Sequence, residues 1–132
     1  MPETDMARML LELAQGDLKA LEVMLQSKQV PSSVCGFHAQ QATEKALKAW
    51  LVLLDVDYPL THSLLVLLDL VRKTGAECTH YGALTRLTPY AVELRYDSDT
   101  VGAQVDPAAV APTVADLVSY VRELLAAAEA GE

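Results

Sequence analysis

The stretch FHAQQATEKALKAW, Phe37–Trp50, decides how this chain is read. Ala39, Ala42, Ala46 and Ala49 step by three and four residues, which lines them up as one stripe of an α-helix. Cys35 and Leu53 extend the stripe in both directions, so the helix should begin at Ser32 or Ser33 as N-cap and end around LDVDYP. Side chains this small let a neighbouring helix approach closely. Gln41, Glu44, Lys45 and Lys48 recur at i, i+3, i+4 and i+7, a spacing expected to project all four from one face. Glu44 preceding Lys48 by four residues is the favourable order for a helical ion pair. Two readings stand at this point: an ordinary solvated face, or a working surface.

The same helical spacing extends outward from this segment, and nothing alternates with period two for long. Ala7, Leu11, Ala14, Leu18, Leu21 and Leu25 mark a first helix from about Thr4 to Ser27, broken at Pro31. After Phe37–Trp50, LTHSLLVLLDLVRKTG predicts a short third helix. Thr61 is its expected N-cap, Arg72 and Lys73 complement its C-terminal dipole, and Gly75 turns the chain. A fourth helix is expected over Thr79–Tyr96 with Leu84, Leu87, Ala91 and Leu94 inward. Pro89 should kink it or restart it behind Thr88. DSDTVGAQVD reads as a polar loop, and Asp106-Pro107 as the start of a last helix reaching about Ala130, its first turns disturbed by Pro112. Five helices with short connections predict an all-α, up-and-down bundle forming a single domain over residues 1–132.

Composition narrows the function. Hydrophobic residues make up 52% of the 132, enough for one core, and the apolar runs are far short of the roughly 20 residues that span a bilayer. The first ten residues, MPETDMARML, lack a basic leader region, so a cytosolic protein with no membrane role is expected. Cys35 and Cys78 lie in no CxxC pattern and read as buried, reduced thiols. The formal net charge of −8 is uneven: residues 1–90 hold eight basic and ten acidic side chains, residues 91–132 two and eight. Such a chain repels bare phosphate backbones, so unassisted, non-specific nucleic-acid binding is disfavoured.

Few residues carry chemistry. His38, His62 and His80 share no metal-ligand spacing. Glu77-x-x-His80 is half of a carboxylate-bridged metal motif, but the second half and the extra glutamates are missing, so no metal is expected. His62 is expected in the first turn of its helix, a position that favours a neutral, hydrogen-bonding ring. In ELRYDSD, Arg95 and Tyr96 close the fourth helix and run into Asp97 and Asp99. No Gly-rich phosphate loop or GxSxG is present, and no cofactor is expected.

Taken in order, four segments resemble the HEPN family of small prokaryotic helical domains, often encoded beside a minimal nucleotidyltransferase. They are DLKAL (Asp17–Leu21), FHAQQATEKALKAWL, PLTHSLLVLL and LTPYAVELRYDSD, together covering about residues 7–97. The resemblance implies a homodimeric helical bundle in a toxin–antitoxin-like two-gene system. Its implied partners are a small nucleotidyltransferase and a nucleotide or RNA ligand. Catalytic members of the family are metal-independent ribonucleases in which a fourth-helix arginine is followed, after four to six intervening residues, by a histidine. Here Arg95 is followed at those positions by Thr100, Val101 and Gly102, so the histidine is absent. Arg95 is the catalytic candidate that the resemblance implies, and His62 is a candidate to supply the missing imidazole if the fold brings it near Arg95. Gln41, Glu44, Lys45, Lys48 and Tyr96 are the candidates for a ligand-binding or dimer-cleft surface. A binding module is the leading expectation; a HEPN ribonuclease and a purely structural dimer are the alternatives.

Overall fold

The first helix, α1, spans Thr4–Ser27 in the computed structural model, which describes residues 3–91 and 105–131. It is followed by α2 (Ser32–Leu53), α3 (Leu64–Lys73), a 3₁₀ helix η1 (Thr79–Ala91) and α4 (Pro107–Ala130). All described regular structure is helical, and the elements pack as a bundle. Its centre is α2, which touches each of the other four. The short link at 28–31 sets α1 antiparallel to α2. An Arg8–Glu129 ion pair joins the start of α1 to the end of α4, so these two are antiparallel as well.

Why α2 takes the centre follows from its side chains. Ala39, Ala42, Ala46 and Ala49 are fully buried, letting the neighbouring backbones approach closely. Leu47, Trp50 and Leu51 fill the space on its other sides. The core is completed by Leu11 and Leu21 of α1, Leu64 and Leu67 of α3, Leu84 and Leu87 of η1, and Val114 and Leu117 of α4. A helix buried on nearly all faces cannot have a solvated back, so the polar residues of Phe37–Trp50 must find partners inside the bundle. Thr43 does so locally, its hydroxyl donating to the Ala39 carbonyl at 2.8 Å.

The helix starts differ in detail from their sequence expectations. Neither Ser32 nor Ser33 caps α2; Pro31 is the N-cap, and its carbonyl accepts from Val34 and Cys35 N–H at 3.0 and 3.2 Å. Ser63, not Thr61, caps α3, its hydroxyl accepting from Val66 N–H at 3.2 Å. Thr61 supports the turn from outside by accepting from Ser63 N–H at 3.0 Å. His62 therefore precedes the helix instead of lying in its first turn. Asp106 caps α4 as expected, accepting from Ala108 N–H at 3.0 Å. Pro112 leaves α4 continuous, because the N–H it lacks would have reached back only to the first turn.

The fourth element is 3₁₀ instead of α-helical. Tyr81, Leu84, Leu87 and Tyr90 are all buried, and they recur every third residue, the repeat of a 3₁₀ helix. Thr85 and Thr88 hydroxyls bond the carbonyls three residues back, Gly82 at 2.8 Å and Thr85 at 3.0 Å. Pro89 lies within this winding. Thr88 also accepts from Leu64 N–H at 3.1 Å, so it serves the start of α3 and not a restart of its own helix. Leu84, Leu87 and Ala91 face inward as expected, while Leu94 and the helix end expected at Tyr96 lie outside the described residues.

Candidate functional site

Two carboxylates organise the polar residues of α2, one on each flank. Glu44 is buried, its side chain 6% exposed, and faces the coil that leads into α3. Its Oε2 accepts from Lys48 Nζ at 2.8 Å, and its Oε1 from Gln40 Nε2 at 3.0 Å and His62 Nδ1 at 2.9 Å. Gln40 is fully buried and donates a second bond to the His62 carbonyl at 3.1 Å, while its own Oε1 accepts from Gln41 at 2.7 Å. Lys48 also sits over the Tyr58 ring, 5.7 Å from its centroid. On the other flank Asp17 of α1 accepts from Lys45 at 2.7 Å and meets His38 Nδ1 at 2.9 Å.

The four polar residues expected on one face are thus divided. Glu44 and Lys48 turn toward His62, Lys45 toward Asp17, and Gln41 supports Gln40. The reason is angular: successive residues of an α-helix are about 100° apart, so Glu44 and Lys45 diverge to different neighbours. Gln40 and Asp17 are site residues that the spacing of the polar face did not single out. Asp17 lies in the DLKAL segment, but its two partners are 21 and 28 residues away in the chain. Arg95 and Tyr96 lie outside the described residues.

Burial pushes the Glu44 carboxyl up, yet the hydrogen bonds from Lys48, Gln40 and His62 and the Lys48 charge outweigh it and hold the group below the ordinary glutamate value of 4.5. A carboxyl whose folded value is depressed stabilises the fold above the ordinary value and loses that contribution as pH falls through the folded one. Glu44→Gln should therefore melt below the wild type at pH 7, by about 1–2 kcal/mol. The gap should close as pH is lowered below 4.5. Thermal melts of both proteins across that range check this; a gap independent of pH would refute it.

Other expected features take ordinary structural roles. Cys35 and Cys78 are free and buried, and burial pushes both thiols up, away from the reactive thiolate form. Glu77 accepts from Thr79 N–H at 2.8 Å, and His80 faces Asp116 at 3.5 Å instead of a second carboxylate–histidine motif. Among the described residues no three His, Cys, Asp or Glu side chains are grouped to hold a metal ion. Among them, too, no helix is long and apolar enough to cross a membrane.

The residues that converge here are those of the QQATEKALK and TH segments. The model of the HEPN domain family matches residues 7–130, nearly the whole chain. The chain belongs to the HEPN family. Searches of curated proteins and of solved structures returned no match. In this HEPN domain the two most recognisable segments meet in space: the signature of α2 supplies Gln40, Glu44 and Lys48, and the Thr-His step before α3 supplies His62. Among the described residues their meeting point is where a buried charged group touches an exposed ring.

Proposed function

We propose that this HEPN domain is a binding module for a nucleotide or RNA, working as a homodimer with a small nucleotidyltransferase in a toxin–antitoxin-like pair. The observation that carries this reading is His62, whose ring is held from beneath by Glu44 while its side chain is 60% exposed to solvent. A surface imidazole fixed by a buried carboxylate is organised for a ligand at modest cost, because the charge below it is already satisfied by Lys48. Family membership supplies the expectation of a dimer. Exposed Leu60, Leu65 and Val66 flank His62 in the chain and provide apolar surface for a protein neighbour. The acidic balance of the chain favours a basic protein partner over bare nucleic acid.

The test joins three measurements. Sedimentation should give twice the chain mass, and the chain should co-purify with a co-expressed nucleotidyltransferase from the neighbouring reading frame. Fluorescence anisotropy with a short single-stranded RNA should show binding that His62→Ala weakens by about tenfold, the loss of one hydrogen bond to a polar ligand. A monomer that binds neither RNA nor partner would refute the proposal. The Glu44–His62 pairing also favours a second reading, a HEPN ribonuclease in which His62 acts with Arg95. RNA cleavage that is abolished separately by His62→Ala and by Arg95→Ala would select that reading; background cleavage unchanged in both would end it.

A further inference from the structure

The protons around Glu44 can be placed from chemistry. A carboxylate held ionised by Lys48 only accepts hydrogen bonds, so the His62 nitrogen 2.9 Å from Oε1 must carry its hydrogen. That nitrogen is Nδ1. In the neutral form of the ring, that hydrogen leaves a bare lone pair on Nε2, and Nε2 has no hydrogen-bond partner among the described residues. The acceptor role of Glu44 Oε1 is fixed from its other neighbour as well. Gln40 Nε2 holds both Oε1 of Glu44 and the His62 carbonyl, two acceptors, so its amide cannot be reversed without losing both bonds. Its oxygen is occupied in turn by Gln41.

His38 provides an internal comparison. It makes the same kind of pair with Asp17, again beside a lysine, and also at 2.9 Å. Its side chain is only 24% exposed and stacks edge-on against Phe37 with ring centroids 5.3 Å apart. That pair ties α1 to α2 and shows little of itself to solvent. His62 has the same carboxylate support with most of its ring exposed. The difference lies in what the far nitrogen can reach.

We propose that Glu44 is a positioning residue for His62: it holds the ring in the Nδ1–H tautomer and so presents Nε2 as an acceptor for a hydroxyl of the bound ligand. The ligand class follows from the reading of a nucleotide- or RNA-binding module, on which this part rests; the tautomer does not depend on it. A lone pair on Nε2 takes a hydrogen from a ribose hydroxyl. It gains nothing from an ionised phosphate oxygen, which has no hydrogen to give. The ribose 2′-hydroxyl is also the group that separates RNA from DNA. The site should therefore prefer RNA over DNA of the same sequence.

The tautomer is read directly by long-range proton–nitrogen NMR of the histidine rings, with His62 assigned by its loss in His62→Asn. The expected wild-type pattern has a protonated Nδ1 and a bare Nε2. Glu44→Gln, whose amide can donate as well as accept, should lose that pattern and move toward the Nε2–H form. A wild-type ring with the hydrogen on Nε2, or a Glu44→Gln ring with an unchanged pattern, would overturn the assignment. Should Glu44→Gln fail to fold, the wild-type spectrum still decides the tautomer. For the ligand, anisotropy with a short RNA and its DNA counterpart should give about a tenfold preference for RNA, reduced below about twofold by His62→Ala and by Glu44→Gln. A preference that survives both substitutions would overturn the hydroxyl assignment. Binding of neither oligonucleotide would overturn the nucleotide-binding reading and the hydroxyl assignment together, whereas Glu44's role stands or falls on the spectrum alone.

Discussion

Gly36→Ala should destabilise the chain by about 2–4 kcal/mol, although alanine is the better helix former. Gly36 lies one turn into α2, and a Cβ built there would overlap the Cδ1, Cε1 and Cγ atoms of the Tyr90 ring, closer than real side chains ever approach. The ring has little room to yield. Tyr90 is 4% exposed, and its hydroxyl donates to the Val105 carbonyl at 2.8 Å, which ties η1 to the approach of α4. A methyl at position 36 must therefore displace the helix or break that tie. The helix preference for alanine, about 1 kcal/mol, opposes the clash but is smaller. Removing the ring should reverse the sign. In a Tyr90→Ala background, itself destabilised, adding Gly36→Ala should be neutral or stabilising by up to about 1 kcal/mol. Urea denaturation of the two single variants and the double variant measures this coupling, and additive effects would show that the Tyr90 contact is not the cause.

Trp50→Ala carries a comparable or larger expected loss, about 3–5 kcal/mol. Trp50 is 1% exposed and closes the signature segment of α2. Its indole meets Tyr81 of η1 and Tyr120 of α4 edge-on, with ring centroids 6.1 and 5.2 Å away. Truncation would leave a cavity where three elements meet, and it would remove the edge-on stacking against both tyrosines as well as the buried area itself. For a chain of this size that corresponds to a drop in melting temperature of roughly 10–20 °C. Trp50→Phe keeps an aromatic ring and should cost less than half as much. Far-UV circular dichroism is the proper monitor, since the variants lack the chain's one tryptophan. A loss under about 1 kcal/mol for Trp50→Ala would mean the core closes over the gap.

How much of this was legible in the sequence depends on how local the cause is. The limits of α1 and α4 follow from caps, prolines and a four-three apolar step, all within a few residues, and both helices end where that reading places them. The 3₁₀ winding of η1 was signalled by the three-residue repeat of Tyr81, Leu84, Leu87 and Tyr90. That signal was masked because Leu87 to Ala91 also fits a helical step of four. Ser63 displaced Thr61 as the cap of α3 because two hydroxyls stood near one helix start, and local sequence does not rank them. The Glu44–Lys48 pair was visible as an i,i+4 step. Its burial was not, since burial depends on α2 being enclosed by four other elements. Gly36 gave no warning at all: its neighbour across the packing, Tyr90, is 54 residues away.

Residue order alone implies an all-helical bundle, the small-residue stripe that lets α2 sit at its centre, and the resemblance that the family match bears out. The bundle and the stripe are properties of residue type and spacing, which helical periodicity carries without help, while the resemblance rests on four particular segments. The division of the polar face of Phe37–Trp50 between Asp17 and His62 comes instead from packing. Glu44 and His62 are 18 residues apart, joined by a coil whose path no periodicity specifies. Their 2.9 Å contact exists because the packing of α3 and η1 against α2 brings the start of α3 down onto a carboxylate that had to be satisfied inside the bundle.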